Sequence, residues 1–525
     1  MTDSGGFVKV PKDDEEERMH KAAEESQRKR EEARKKREME EAMKRAGEDS
    51  QQPWSIFSYI TIRPMPQQKT SSLKTYFDEI EETNGDDECK VWLNRVFDLK
   101  AELATFVATH RAGGGSGQYV GFLKGSFNFS FRFSFNDGGP DAIIRFPKPG
   151  HTATAYRDEK VANEVQIMEY LRQHTTIPIP RVHSWGLIAE SPQQLGPFII
   201  MDYVEGVLLS TVLKQPDQED VILNPDIDNN KLDKIYCQIA HYMLQLSQLT
   251  FPRIGAISKD GALGTWCVTG RPLTYNMNEL ATVAGYPHGQ FPMAPFDRAS
   301  DYLRSVANEH LTHLWSQRNL ADDPEIAQKR FVARHRFVQL IPKYCVEDGG
   351  PFIPFCDDMR PSNMLVNPET LSITAVLDFE FTNAMPAEFT YDPPWWLLLS
   401  GPELWLERCS IDEFLALYEP RMTQFLRALE QVERELALES KQSSGPRLST
   451  RMRDSWRTGR FWFDYAARKS FDVDIIYWAA LHEGGAGVES LDDKARAEIE
   501  SFTQTKMEQL KVYKEECTAR FSSGK

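Results

Sequence analysis

Residues 356–380, CDDMRPSNMLVNPETLSITAVLDFE, constrain this chain more tightly than any other stretch. Met364-Leu365-Val366 and Leu371 to Leu377 are apolar runs that read as two strands, and Asn367-Pro368-Glu369-Thr370 reads as the turn between them. A hairpin that short folds back on itself, so Asp378, which follows it, returns beside Asn363, which precedes it. Asp358 stands five positions before Asn363, at the mouth of the same hairpin. Two carboxylates and one amide are thereby drawn to one end of a small antiparallel unit.

Phosphoryl transfer from a nucleotide needs that set of groups. Asp358 can accept the proton of an attacking hydroxyl, while Asn363 and Asp378 hold Mg2+ on the phosphates. A lone D-x-x-x-x-N occurs in many loops; three ordered elements with apolar strands between them are a specific signal. The stretch resembles the kinase-like phosphotransferases, and within them the aminoglycoside phosphotransferase and choline kinase group. That group writes its loop H-G-D-L-H-P-x-N-x-L-V and its metal Asp within I/L-D-F/W-E. Asp358, Pro361, Asn363, Leu365, Val366, Leu377, Asp378, Phe379 and Glu380 match it. Cys356 departs from it in place of the His, and Asp357 in place of the small or basic residue before the catalytic Asp.

The resemblance implies an α+β, bilobal, protein-kinase-like fold. A small β-rich N-lobe is expected over 56–206. A large, mostly helical C-lobe over 207–525 would carry the catalytic loop, the metal Asp and a C-terminal helical extension. Residues 1–55 differ in kind. From Lys12 to Lys44 the chain mixes Glu, Lys, Arg and Ala with no apolar seam, the composition of a charged helical or disordered tail. A protein partner bound through this tail is the one macromolecular contact the sequence suggests.

Upstream signals fall in the order of such a fold. Phe127, Phe129, Phe131, Phe133 and Phe135 alternate with polar residues, the period of a strand with one buried face. Asn136 to Pro140 is a turn, and Ala142 to Phe146 is the returning strand. Gly125 and Ser126 sit at the mouth of this hairpin, where small residues let backbone N–H groups approach phosphates. Arg145 falls where kinases place the phosphate-binding Lys, and it offers a bidentate fork in place of a point charge. Val161, Val165, Met168 and Leu171 recur at helical spacing, with Glu164 on the same face. A carboxylate within an apolar face needs a partner, and the resemblance supplies Arg145. Phe198 to Gly206 reads as a buried strand leaving into a linker, so the resemblance assigns adenine to backbone groups of Asp202, Tyr203 and Val204.

Beyond residue 207 helical periods dominate, most plainly over 231–249, 297–317, 325–344, 411–438 and 488–517. Gly270 to Leu273 and the Trp-rich Tyr391 to Trp396 look like segments of the fungal branch of the family. Asp392 could cap a helix or line the acceptor pocket, and the structural role is the expected one.

The 525 residues are 41% hydrophobic and include 30 Phe, enough for a large core, and their net charge is −16. An acidic chain argues against a nucleic-acid surface, which needs a basic patch. No run approaches the eighteen or more apolar residues of a membrane span. Seven cysteines without a C-x-x-C pair, and no apolar leader, read as reduced thiols in the cytoplasm. The expected activity is a nucleotide-dependent phosphotransferase that moves the γ-phosphate of ATP or GTP to a hydroxyl of a small-molecule acceptor, with Mg2+. A catalytically inactive kinase-like scaffold is the alternative. A protein kinase fits less well, because no A-P-E-like segment follows Asp378.

Overall fold

The structure, a computed structural model, describes residues 73–521 apart from 75, 112, 114, 219, 263, 440–444 and 485–486. The charged tail over 1–55 lies outside the described residues.

Helix α1 (Glu79–Asp98) starts where Asp78 accepts hydrogen bonds from the N–H groups of Ile80 and Glu81, with Glu79, Glu81 and Glu82 in its first turn. It leads through α2 (Lys100–His110) into an antiparallel sheet. The sheet comprises β1 (Gly117–Lys124), β2 (Asn128–Phe135), β3 (Ala142–Pro147), β4 (Val182–Gly186) and β5 (Phe198–Asp202). Its spatial order is β1-β2-β3-β5-β4, and α3 (Arg157–His174) connects β3 to β4.

The Phe alternation along β2 sorts the two faces of this sheet. Phe129, Phe131, Phe133 and Phe135 are buried together with Trp92, Leu93 and Val96 of α1. Trp92 stacks on Phe129 at 5.8 Å and donates its indole N–H to the Leu195 carbonyl at 2.6 Å. Each fully buried Phe of this layer contributes about 1.5–3 kcal/mol. The even positions face the other way, toward the cleft, and Asn128 reaches Glu380 across it at 2.8 Å. Phe127 departs from the expected pattern. It lies in the turn before β2 and packs on Tyr275 and Phe381 at 5.3 and 6.2 Å, because the tight β1–β2 turn has already lifted it out of the pleat.

The chain then enters β6 (Val207–Leu208), α4 (Leu209–Leu213) and α5 (Asn229–Ser247), followed by β7 (Ala256–Lys259), β8 (Trp266–Gly270) and α6 (Tyr275–Val283). Helices α7 (Ala299–Ser316) and α8 (Pro324–Tyr344) precede β9 (Phe352–Phe355), β10 (Met364–Val366), β11 (Ile373–Val376) and β12 (Asn383–Pro386). The rest is helical: α9 (Ala387–Thr390), α10 (Pro402–Leu406), α11 (Ile411–Glu439), α12 (Leu448–Thr458), α13 (Arg460–Ala467), α14 (Val473–Ile476) and α15 (Asp493–Phe521). The fold is thus α+β and two-lobed, a β-sheet lobe beside a helical one.

Aromatic contacts join the helical layers: Tyr236 of α5 with Phe425 of α11 at 5.5 Å, Phe337 of α8 with Phe463 of α13 at 4.7 Å, and Phe331 of α8 with Phe502 of α15 at 4.9 Å. A buried ion cluster pins α14 to α8, where Asp474 accepts from Arg330 at 2.7 Å and from Arg334 at 2.9 Å. Helix α1 ties the two lobes together outside the cleft. Its start is held by the Tyr513 hydroxyl of α15, 2.8 Å from the Glu79 N–H, while its second half lies in the sheet's aromatic layer.

Candidate active site

The segment that carries Asp358 and Asn363 follows β9. Residues 361–363 form a single 3-10 turn, and β10 pairs antiparallel with β11. The turn between those strands closes because the Asn367 side-chain oxygen accepts the N–H groups of Glu369 and Thr370 at 2.9 and 3.0 Å. The Leu377 N–H then donates to the Asn363 carbonyl at 2.8 Å, which sets Asp378 one residue from Asn363's backbone.

Asp358 is held from both sides. The Asn363 side-chain amide donates to Asp358 Oδ2 at 2.7 Å and to the Asp358 carbonyl at 2.9 Å, and Arg360 Nε lies 2.6 Å from Oδ1. A third of the Asp358 side chain stays exposed to the cleft. Burial raises the Asp358 carboxyl above its ordinary value, against the opposing pull of Arg360 and Asn363.

Asp378 has φ of 61°, in the left-handed region that a non-glycine residue adopts at a cost, and Phe381 shares this feature. Its carboxylate accepts from Arg145 Nη1 at 2.7 Å. Arg145 also pairs with Glu164 through Nη2, so one guanidinium joins β3, α3 and the segment after β11. Glu164 is 1% exposed, as its place in the apolar face of α3 requires. Burial, with Glu380 close by, pushes the Asp378 carboxyl up to about 7 despite Arg145. Glu380 goes the other way: burial opposes its charge, yet Lys160 and Arg145 hold it below the usual carboxylate range. Lys160 pairs with Glu380 and donates to the Asn128 side-chain oxygen at 2.9 Å.

Among the described residues no three His, Cys, Asp or Glu side chains form a metal cage. The donors that the hairpin end would offer a metal are one carboxylate, Asp378, and one amide, Asn363, with Asp358 ion-paired to Arg360 beside them. That is the sparse set that suits Mg2+, which keeps phosphate oxygens and waters in most of its coordination sphere. The residues present therefore fit the metal.

Two expectations about backbone donors need correcting. The Gly125 N–H is spent inside the turn, donating to the Asn128 carbonyl at 2.8 Å, which leaves the exposed Ser126 as the polar tip of that loop. A Cβ at Gly125 would stand 3.1 Å from the same carbonyl, so the small residue serves the turn itself. At the linker after β5, the Asp202 N–H donates to Arg181 and the Tyr203 N–H to Asp141, at 3.0 and 3.1 Å. The Asp202 carboxylate is paired with His183 at 2.6 Å, and Arg132 stacks 3.7 Å over the Tyr203 ring. Of these three residues, Val204 alone has an N–H with no partner among the described residues.

Asp392 is structural, but it caps no helix. It is buried beneath α12, accepts from the Ser455 hydroxyl, and burial pushes it up to about 6. Cys356 stands where the related loop has His, and its thiol donates to the Asp378 carbonyl across 3.7 Å. Asp357, the other departure, pairs with Arg468 and lies 3.8 Å from Lys469, both just after α13.

Sequence reasoning missed five residues at this site. Arg360 stands at the second His of the H-G-D-L-H-P pattern, a legible signal. Lys160 lies one turn before Glu164 and Asn128 on the polar face of β2, so periodicity alone could have found both. Tyr275 and Glu279, one turn apart on α6, had no sequence signal. Burial pushes Glu279 up to about 7, with Lys469 and Tyr275 opposing.

The phosphotransferase enzyme family model matches residues 122–429, from β1 to α11. The chain is 22% identical over 277 residues to clavilactone A biosynthesis cluster protein Y of Ampulloclitocybe clavipes, a match covering 50% of this chain and 60% of that protein. Similar solved structures include aminoglycoside phosphotransferase APH(4)-Ia, with TM-score 0.37 and 16% identity over 71% of this chain and 97% of that one. Choline kinase from Cryptosporidium parvum has TM-score 0.34 and 11% identity, covering 78% and 96%. Spectinomycin phosphotransferase APH(9)-Ia, solved with ADP and spectinomycin, has the same score and identity over 78% and 98%. Because the family model spans more than half of its length, including every residue of the cleft from Gly125 to Asp378, this chain belongs to the phosphotransferase enzyme family.

Proposed function

We propose that the protein transfers the γ-phosphate of ATP or GTP to a hydroxyl of a small molecule. The observation that carries this reading is the convergence of Asp358, Asn363 and Asp378 at one hairpin end, with Arg145 bridging from the sheet lobe to Asp378. Asp358 accepts the proton as the acceptor oxygen attacks the phosphorus. Asn363 and Asp378 would hold Mg2+, which when bound neutralises charge on the phosphate oxygens. Arg145, oriented by Glu164, binds the phosphates, Ser126 covers them, and the Val204 N–H meets the base. Catalysis here is positioning and electrostatics, with no covalent intermediate on the protein. Seven unpaired thiols suit a reducing compartment, and the cytoplasm is the location this reading assigns.

The test is thermal denaturation with ATP, GTP and ADP, each with and without Mg2+, followed by a panel of hydroxyl metabolites scored for nucleoside diphosphate release. Stabilisation that grows with nucleotide concentration and needs Mg2+ is expected. No binding at millimolar nucleotide would reject the reading. Binding with no turnover on any acceptor or on water would move the protein to the inactive scaffold class.

A further inference from the structure

The proton acceptor of this site has a cation fastened to it that the reading above does not use. Arg360 lies two residues after Asp358, and its Nε is 2.6 Å from Asp358 Oδ1. Nε is the nearest nitrogen of this ion pair and makes no hydrogen bond of its own. Among the described residues neither terminal nitrogen of Arg360 has a hydrogen-bond partner, and a third of the side chain is exposed. The guanidinium carbon lies 5.8 Å from the centroid of the Trp395 ring, and its charge is felt by Tyr275 and Asp378. An arginine with two free terminal nitrogens beside a phosphoryl-transfer centre is an incomplete fork, since guanidinium groups bind phosphate bidentately.

Its position selects which phosphate. The acceptor hydroxyl must lie against Asp358 and in line with the γ-phosphorus. A cation touching Asp358 therefore stands at the γ-phosphoryl oxygens, while Arg145, bonded to Asp378 and Glu164, serves the opposite side of the cleft. We propose that Arg360 is a catalytic residue of this phosphotransferase, paired with Asp358 in the nucleotide-free protein and donating its terminal N–H groups to the γ-phosphoryl oxygens during transfer. In the step the acceptor oxygen–phosphorus bond forms and the bond from the γ-phosphorus to the β-bridging oxygen breaks. The acceptor proton passes to Asp358, the electron pair leaves with the nucleoside diphosphate, and Arg360 stays protonated throughout. Asp358 keeps room for that proton, because Oδ2 carries a second lone pair beyond its bond from Asn363 and Oδ1 is only ion-paired with Arg360.

This inference rests on the nucleotide-binding reading, and its test separates the two. Wild type, Arg360→Ala, Arg360→Gln and Arg360→Lys are titrated calorimetrically with Mg·ADP and with the β,γ-imido analogue of ATP. Slow hydrolysis of Mg·ATP, with water as acceptor, is followed by ADP release. The alanine and glutamine variants should bind Mg·ADP as wild type does and bind the imido analogue about 10-fold or more weakly, as loss of a charge-assisted contact implies. Their hydrolysis should fall by about 10²–10³-fold, with Lys restoring part of it. If wild type binds neither nucleotide, the functional reading fails. If wild type binds both and the variants lose ADP and imido analogue equally, or neither, Arg360 only braces Asp358 and the inference is overturned. A fall in hydrolysis with unchanged preference for the imido analogue over ADP overturns it in the same way.

Discussion

The Arg145–Glu164 pair gives the sharpest energetic test of the site. Glu164 is 1% exposed, and Arg145 is nearly as buried between Glu164 and Asp378. Removing one partner of a buried pair costs about 3–5 kcal/mol, because the other charge is stranded, whereas replacing both by apolar residues of similar size costs far less. Glu164→Leu leaves Arg145 its bond to Asp378 and should cost about 3 kcal/mol, the lower end of that range. Arg145→Met strands Glu164 with no other cation among its described contacts and should cost about 5 kcal/mol. The double variant should fall well short of the sum, with a coupling of about 3 kcal/mol, large for a neighbouring pair. The assay is urea denaturation of nucleotide-free protein at pH 7.5 for all four proteins. Additive costs would refute the pairing. All three variants should also bind Mg·nucleotide more weakly, since the fork proposed to meet the phosphates is lost or misaimed.

The same cycle has a pH signature. Burial holds the Asp378 carboxyl near 7, far above its unfolded value of about 3.9. A carboxyl raised on folding contributes stability that is fully present below the unfolded value and is lost as pH rises through the folded one. In wild type that loss is largely over by pH 8. Arg145 pulls the group downward, so Arg145→Met raises it further and extends the loss to higher pH. The variant should therefore keep losing stability above pH 8, where Asp378 in wild type no longer contributes a slope. Parallel pH curves would mean that Arg145 does not act on Asp378.

Asp358→Asn should abolish transfer, by about 10²–10⁴-fold, with Mg·nucleotide affinity nearly unchanged in titration, since Asn is isosteric but takes no proton. Cys356→His should keep the fold and the activity, because an imidazole N–H can replace the thiol as donor to the Asp378 carbonyl; loss of Mg2+-dependent stabilisation in a thermal scan would contradict this. Glu309, 4% exposed and bonded to Asn276 at 3.1 Å, is pushed by burial up to about 8. As a raised carboxyl it loses its contribution as pH climbs toward 8, so Glu309→Gln should gain about 2–4 kcal/mol on wild type between pH 5 and 8 in urea denaturation.

What was legible in the sequence was local. The β10–β11 hairpin announces itself through two apolar runs and an Asn-Pro turn, and its length alone brings Asp378 to Asn363. The Phe alternation of β2 and the apolar stripe of α3 are likewise periods within one element; the stripe shows that Glu164 needs a partner, and the family resemblance names Arg145 as that partner. What failed to show was partnership across the chain. The N–H groups of Asp202 and Tyr203 look available in sequence, and only the fold turns Arg181 and Asp141 toward them. Helix α1, with Trp92 closing the sheet and its start fixed by Tyr513, depends on a segment more than four hundred residues away.

Asp357 makes the physical reason concrete. Taken as a loop residue, an acid beside Asp358 is an anomaly, because two adjacent carboxylates repel each other and would repel a phosphate. In the structure Asp357 is neutralised by Arg468 and Lys469, residues of the C-terminal extension, and Lys469 also lies 4.5 Å over the Tyr275 ring at the cleft's far wall. The Trp395 indole N–H fixes the same residue from the other side, donating to the Asp357 carbonyl at 3.1 Å. The departure from the loop pattern and the long helical extension are therefore one feature. The extension brings the cations that allow an acid at that position, and the acid in turn anchors the extension to the loop that carries Asp358. A reading that takes motifs one at a time sees a defect and an appendage, whereas charge balance requires that they occur together.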